Sequence, residues 1–143
     1  MSARKSFSFN REPATVRAAR GALDDFDGEF PPARLYDATL CLSELVSNAV
    51  RHPGTTGEVA LVVDLDGDRL RVEVTDPGRG FTPRSPARGD EGGWGLLIVD
   101  KLSDKWGVEA GERTVAWFEI LRAPRDQHGQ ETNWKAGTSA RST

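Results

Sequence analysis

The sequence of 143 residues holds a single cysteine, Cys41, which excludes an internal disulfide and any cysteine-cluster metal site. Cys41 is therefore expected as a small core residue in a reducing compartment. No apolar run approaches the length of a membrane span, and Met1 to Asn10 lacks the apolar centre of a signal peptide. The expectation is a cytoplasmic protein with no membrane partner. Net charge is also scarce: at -3, with the basic residues scattered, the chain offers no field that would gather nucleic acid. No internal repeat is visible. What remains, 37% hydrophobic and 29% charged residues, describes one ordinary soluble domain with a proper core.

The periodicity changes along the chain. Ser6 to Asn10 alternates Phe7 and Phe9 with small polar residues, as a short strand does. Pro13 suits a first helical turn, and Val16, Ala19, Leu23 and Phe26 continue at helical spacing to Asp27-Gly28. A second helix is expected from Pro31-Pro32 to about His52, where Pro53 and Gly54 stop it. Its apolar positions are Leu35, Ala38, Leu42, Leu45, Val46 and Ala49. The period then falls to two: Val59 to Leu65 reads as a strand, Asp66-Gly67 as a hairpin turn, and Leu70, Val72 and Val74 as a second strand. Residues 81–93 read as a mobile loop. From Gly95 a helix is expected with Leu96, Leu97, Val99, Leu102 and Trp106 on its buried side and Gly107 as its end. Val108 to Ala110 and Thr114 to Leu121 suggest a closing hairpin around Gly111-Glu112, with Ala116, Phe118 and Ile120 on one face. The order predicts an α+β two-layer sandwich, a mixed and mostly antiparallel sheet with helices on one face, over residues 1–122. Residues 123–143, nearly free of apolar side chains, read as a disordered tail.

Three local signals interrupt this plan. Glu44 and Asn48 lie four residues apart on the second helix, so they share a face beside the core stripe. A polar stripe there costs free energy unless each group finds a partner, and a metal-bound phosphate would be one. Asp76-Pro77-Gly78-Arg79-Gly80 follows a strand; the glycines let a flat ligand approach, and the carboxylate suits an exocyclic amine such as that of adenine. It is not a dinucleotide fingerprint, because no helix opens directly after it. Gly92-Gly93-Trp94-Gly95-Leu96 is a glycine cluster at a helix start, where free N–H groups favour phosphate. It is not a Walker-type loop, since no Gly-Lys-Ser/Thr follows. Each signal alone is common; the three in this order are far more specific.

In that combination, and in the phrases ELVSNAVRH, DPGRGF and GGWGLLIVDKLSDKWGV, the sequence resembles the Bergerat-fold, histidine-kinase-like ATPases. It looks most like the stand-alone anti-sigma-factor serine/threonine kinases of the actinobacterial type, from about Phe7 to Leu121. The resemblance implies ATP and Mg²⁺ as cofactors, with Asn48 as the metal ligand and Glu44 as the general base. It further implies that Asp76, Gly78, Gly80 and Thr114 receive the adenine, and that Gly93, Gly95 and Leu96 cover the phosphates. A homodimer, a sigma factor and an anti-sigma-factor antagonist with an acceptor serine are the implied partners. Arg51, Arg84 and Arg88 are either phosphate contacts or solvated surface charges, and His52 either caps its helix or lines the site. The uncharged Trp94 and the short lid support a second function, an ATP-gated protein-binding regulator without kinase activity. A histidine-kinase catalytic domain is disfavoured, because the chain shows no dimerisation helix pair.

Overall fold

The computed structural model describes residues 2–51, 57–76 and 91–123, with the side chains of Ser2, of residues 91–95 and of Ala110 excepted. Five strands form one sheet in the order β1-β2-β3-β5-β4: β1 (Ser2–Asn10), β2 (Glu58–Asp66), β3 (Arg69–Asp76), β4 (Lys105–Ala110) and β5 (Thr114–Leu121). Every neighbouring pair is antiparallel, so the sheet is antiparallel throughout rather than mixed. The helices are α1 (Ala14–Arg20), α2 (Pro32–Val50) and α3 (Glu91–Leu102), and α2 packs against both of the others and against the sheet.

The alternation read from the sequence decides which sheet face meets the helices. Val59, Leu61, Val63 and Leu65 of β2, Leu70, Val72 and Val74 of β3, and Ala116, Phe118 and Ile120 of β5 are all buried. They meet Leu35, Ala38, Leu42, Leu45, Val46 and Ala49 of α2, the stripe expected from the 3.6-residue period, to make one core. The opposite face is polar: Arg71 bonds Glu73 and Glu119 and lies 4.2 Å from the centre of the Trp117 ring. Cys41 is fully buried, and burial, with Asp37 adding to it, pushes its thiol pKa up, so it stays protonated as the core residue expected.

Several boundaries differ from the sequence expectation. The first strand begins at Ser2, not Ser6, because the charged segment at its start pairs with β2, Arg4 lying opposite Asp64. The first helical run is α-helical only to Arg20; Gly21–Phe26 is a 3₁₀ turn that buries Leu23 and Phe26, whose three-residue spacing matches that tighter helix. The third helix begins at Glu91 rather than Gly95, and it ends at Leu102, so Trp106 and Gly107 do not belong to it.

Trp106 and Gly107 lie instead in β4, which is longer than the strand expected from Val108. Just past the helix, Ser103 donates both its N–H, at 3.0 Å, and its hydroxyl, at 2.6 Å, to the Val99 carbonyl, and at Asp104 the chain leaves the helical path. The Asp104 carboxylate accepts from Arg34 of α2 at 2.9 Å and from the Leu121 N–H of β5 at 2.8 Å. Trp106, four residues beyond Leu102, mimics one more helical turn in sequence; in the fold it donates its indole N–H to Asp100 at 2.8 Å. Gly107 faces Trp117 across the β4–β5 ladder so closely that a Cβ would stand 2.8 Å from the indole nitrogen.

Candidate functional site

The site begins where the buried stripe of α2 meets its polar edge. Ala49 continues the stripe, Asn48 beside it is buried, and Glu44, one turn earlier, is half-buried at the rim. Glu44 and Asn48 therefore share one flank of α2, as their spacing predicted. The sheet supplies the facing wall. The pleat of β3 puts Asp76 on the same face as Leu70, Val72 and Val74, and that of β5 puts Thr114 on the same face as Ala116 and Phe118. Asp76 and Thr114 end their strands as direct cross-strand partners, and both are buried.

Asn48, Asp76 and Thr114 line one pocket between α2 and the sheet. Leu45, Ala49, Val74 and Ala116 form its apolar wall, and Asn48, Asp76 and Thr114 its polar one. Such a wall suits a flat, weakly polar ring held by a few directional groups. Among the described residues, Asn48 Nδ2 is buried with no hydrogen-bond partner, which is unfavourable in a purely structural core. A half-turn of the carboxamide exchanges its nitrogen and oxygen, so the same position can present a hard oxygen donor to Mg²⁺, which takes few protein ligands beside phosphate and water.

The remaining predicted residues are placed unevenly. Gly93 lies in the first turn of α3, where helical N–H groups have no intrahelical acceptor; Gly95 lies one turn further in, with the Glu91 carbonyl in the i−4 position, and the Leu96 side chain is committed to the core. Gly78, Gly80, His52, Arg84 and Arg88 lie outside the described residues, as does the tail beyond Ala123. Arg51 follows α2 on the exposed side and reaches the Ser47 hydroxyl at 3.4 Å.

Sequence reasoning missed Arg11. Its side chain and that of Asp76 are 4% and 3% exposed, and Arg11 Nη1 lies 3.1 Å from Asp76 Oδ1. Its second nitrogen, Nη2, donates to the Ala49 carbonyl at 2.7 Å. The only hint in sequence is indirect: the residue four beyond Ala49 is Pro53, which has no N–H to give that carbonyl.

A five-stranded antiparallel sheet backed by three helices gathers Asn48, Asp76 and Thr114 along one edge of the interlayer space. The family description that matches residues 9–119 is the histidine kinase-like ATPase domain. The chain belongs to that family and, within it, to the anti-sigma-factor kinase-like ATPases. It is 31% identical over 113 residues to the serine-protein kinase RsbW of Bacillus pumilus, covering 66% of this chain and 70% of that protein. An uncharacterised protein of Streptomyces coelicolor is 34% identical over 89 residues, 58% of this chain and 84% of that one. Among solved structures, the RsbU and RsbW domains of Rv1364c from Mycobacterium tuberculosis share the fold with a TM-score of 0.67 at 22% identity. That alignment covers 85% of this chain and 33% of the longer one, so the likeness concerns one domain of it.

Proposed function

We propose that the protein is an ATP- and Mg²⁺-dependent serine/threonine protein kinase of the cytoplasm that binds a sigma factor and phosphorylates a serine of an anti-sigma-factor antagonist. The observation that carries this reading is the shared flank of α2, where a half-buried carboxylate, Glu44, stands one turn from a buried carboxamide, Asn48, that lines the pocket. A module that only bound nucleotide would have no use for a carboxylate there. The name of the Bacillus relatives, serine-protein kinase, supports the same activity.

In this reading Asp76 and Thr114 orient the adenine, Asp76 accepting from its exocyclic amine, and the apolar wall excludes water from the ring. The first turn of α3, with Gly93, receives the phosphates on its backbone N–H groups, and Gly95 leaves room for the chain to close over them. Asn48 holds the metal through its side-chain oxygen. Bound there, Mg²⁺ would neutralise charge on the transferring phosphoryl group. Glu44 takes the proton of the acceptor serine hydroxyl, and its place at the rim rather than the floor leaves it accessible to a partner protein. The active form in this reading is a homodimer.

The test is incubation with ATP, Mg²⁺ and an antagonist protein, followed by mass spectrometry. Phosphoserine on the antagonist is expected. ATP binding without any phosphorylated product would instead favour the nucleotide-gated binder.

A further inference from the structure

We propose that Arg11 is the positioning residue that sets base specificity, holding Asp76 as a fixed acceptor so that the site takes 6-aminopurine and rejects 6-oxopurine nucleotides. The inference rests on the reading of Asp76 as the group that meets the base.

A carboxylate accepts from a 6-amino group and repels the lone pairs of a 6-oxo group, so selectivity depends on where its oxygens are aimed. The Arg11 guanidinium sets that aim, with Nη1 3.1 Å from Oδ1. It approaches from outside the pocket, whose wall includes Asp76 but not Arg11, so the contact neutralises the carboxylate without filling the base site.

The second bond of the same guanidinium fixes the geometry. Nη2 donates to the carbonyl of Ala49, a residue of the pocket wall and the neighbour of Asn48 on α2. That carbonyl belongs to the last turn of the helix, where the regular acceptor pattern ends and Pro53 offers no N–H. One planar group thus ties the end of β3 to the end of α2, from a residue just past β1. The pocket's width between Asp76 and Ala49 is held by this fork. A lysine, with one compact charge and no fork, can supply the charge but not both fixed bonds.

Calorimetric titration of the full chain in Mg²⁺ with ATP and with inosine triphosphate, which differs by a 6-oxo for a 6-amino group, tests this. Wild type, Arg11→Lys, Arg11→Met and Asp76→Asn are compared, each checked for cooperative melting. Wild type is expected to prefer ATP. Arg11→Met should reduce the ATP-to-inosine-triphosphate ratio about tenfold or more, the scale of one charged hydrogen bond, while inosine triphosphate affinity changes little. Arg11→Lys should fall between the two, and it decides the matter if the methionine variant does not fold. In the Asp76→Asn background, Arg11→Met should leave the ratio where Asp76→Asn alone puts it. Equal loss of affinity for both nucleotides, with the ratio kept, would make Arg11 merely structural and overturn the proposal. A wild type that binds both equally would overturn the reading of Asp76 itself, and with it this inference.

Discussion

Asp76 and Thr114 stand directly opposite each other at the open end of the β3–β5 ladder, both buried and both on the helix-covered face of the sheet. A buried carboxylate facing a buried hydroxyl across a ladder makes a paired polar wall in a space otherwise bounded by Leu45, Val74 and Ala116. Thr114→Val keeps the shape and the β-branch but removes the hydroxyl. ATP binding is expected to weaken by up to about tenfold, the scale of one neutral hydrogen bond, with melting temperature little changed. Unaltered affinity in a calorimetric titration would remove Thr114 from the base site.

Asn48→Ala should abolish Mg²⁺-dependent ATP binding, because the carboxamide is the only buried oxygen donor that α2 brings to the pocket. Titration with and without the metal checks this, and tight metal-dependent binding by the variant would move the ligand elsewhere. The variant also loses a buried, unsatisfied amide nitrogen, so no large fall in stability is expected.

Glu44→Gln retains size and rim position but cannot take a proton. ATP affinity should stay within about twofold, while phosphoryl transfer should fall by roughly 100-fold or more, the usual contribution of a general base. Single-turnover assays with labelled ATP separate the two, and transfer at the wild-type rate would require another base.

Two of the predictions concern the fold alone. Asp104 joins Arg34 of α2 to the Leu121 N–H of β5, and removing the carboxylate by Asp104→Ala leaves a largely buried guanidinium and an N–H without that acceptor. A loss of about 1–3 kcal/mol is expected in urea denaturation, the cost of leaving buried donors without an acceptor, since Asp37 and the Leu121 carbonyl still hold the guanidinium.

Gly107→Ala should force the Trp117 indole aside, since the new Cβ would stand 2.8 Å from its nitrogen, and the indole also carries Arg71 on its face. Overpacking of this kind costs about 1–3 kcal/mol. Unfolding at the wild-type denaturant concentration would show that the ring moves freely.

The parts of the fold written in local periodicity were legible. The α2 stripe, the β2–β3 hairpin, whose turn falls at Gly67 and Asp68, one position beyond the Asp66-Gly67 signal, and the alternating faces of β5 follow from spacing. Trp106 and Gly107 were misplaced because Leu102 and Trp106 continue a helical spacing, while what ends the helix is tertiary: Arg34 and the Leu121 N–H capturing Asp104 from 70 and 17 residues away. The first half of β1 has no apolar alternation to read; it is strand because Arg4 and its neighbours pair with β2. The same limit hid Arg11. Glu44, Asn48, Asp76 and Thr114 could be picked out by motif, but a surface-type residue buried against a partner 65 positions away leaves no local pattern.

The most direct test of the central claim is calorimetric titration of the wild-type protein with ATP in the presence and absence of Mg²⁺, with GTP as the control. The pocket built by Asn48, Asp76 and Thr114 predicts binding that requires the metal and selects ATP. No heat of binding at millimolar ATP, or equal binding of GTP, would contradict it.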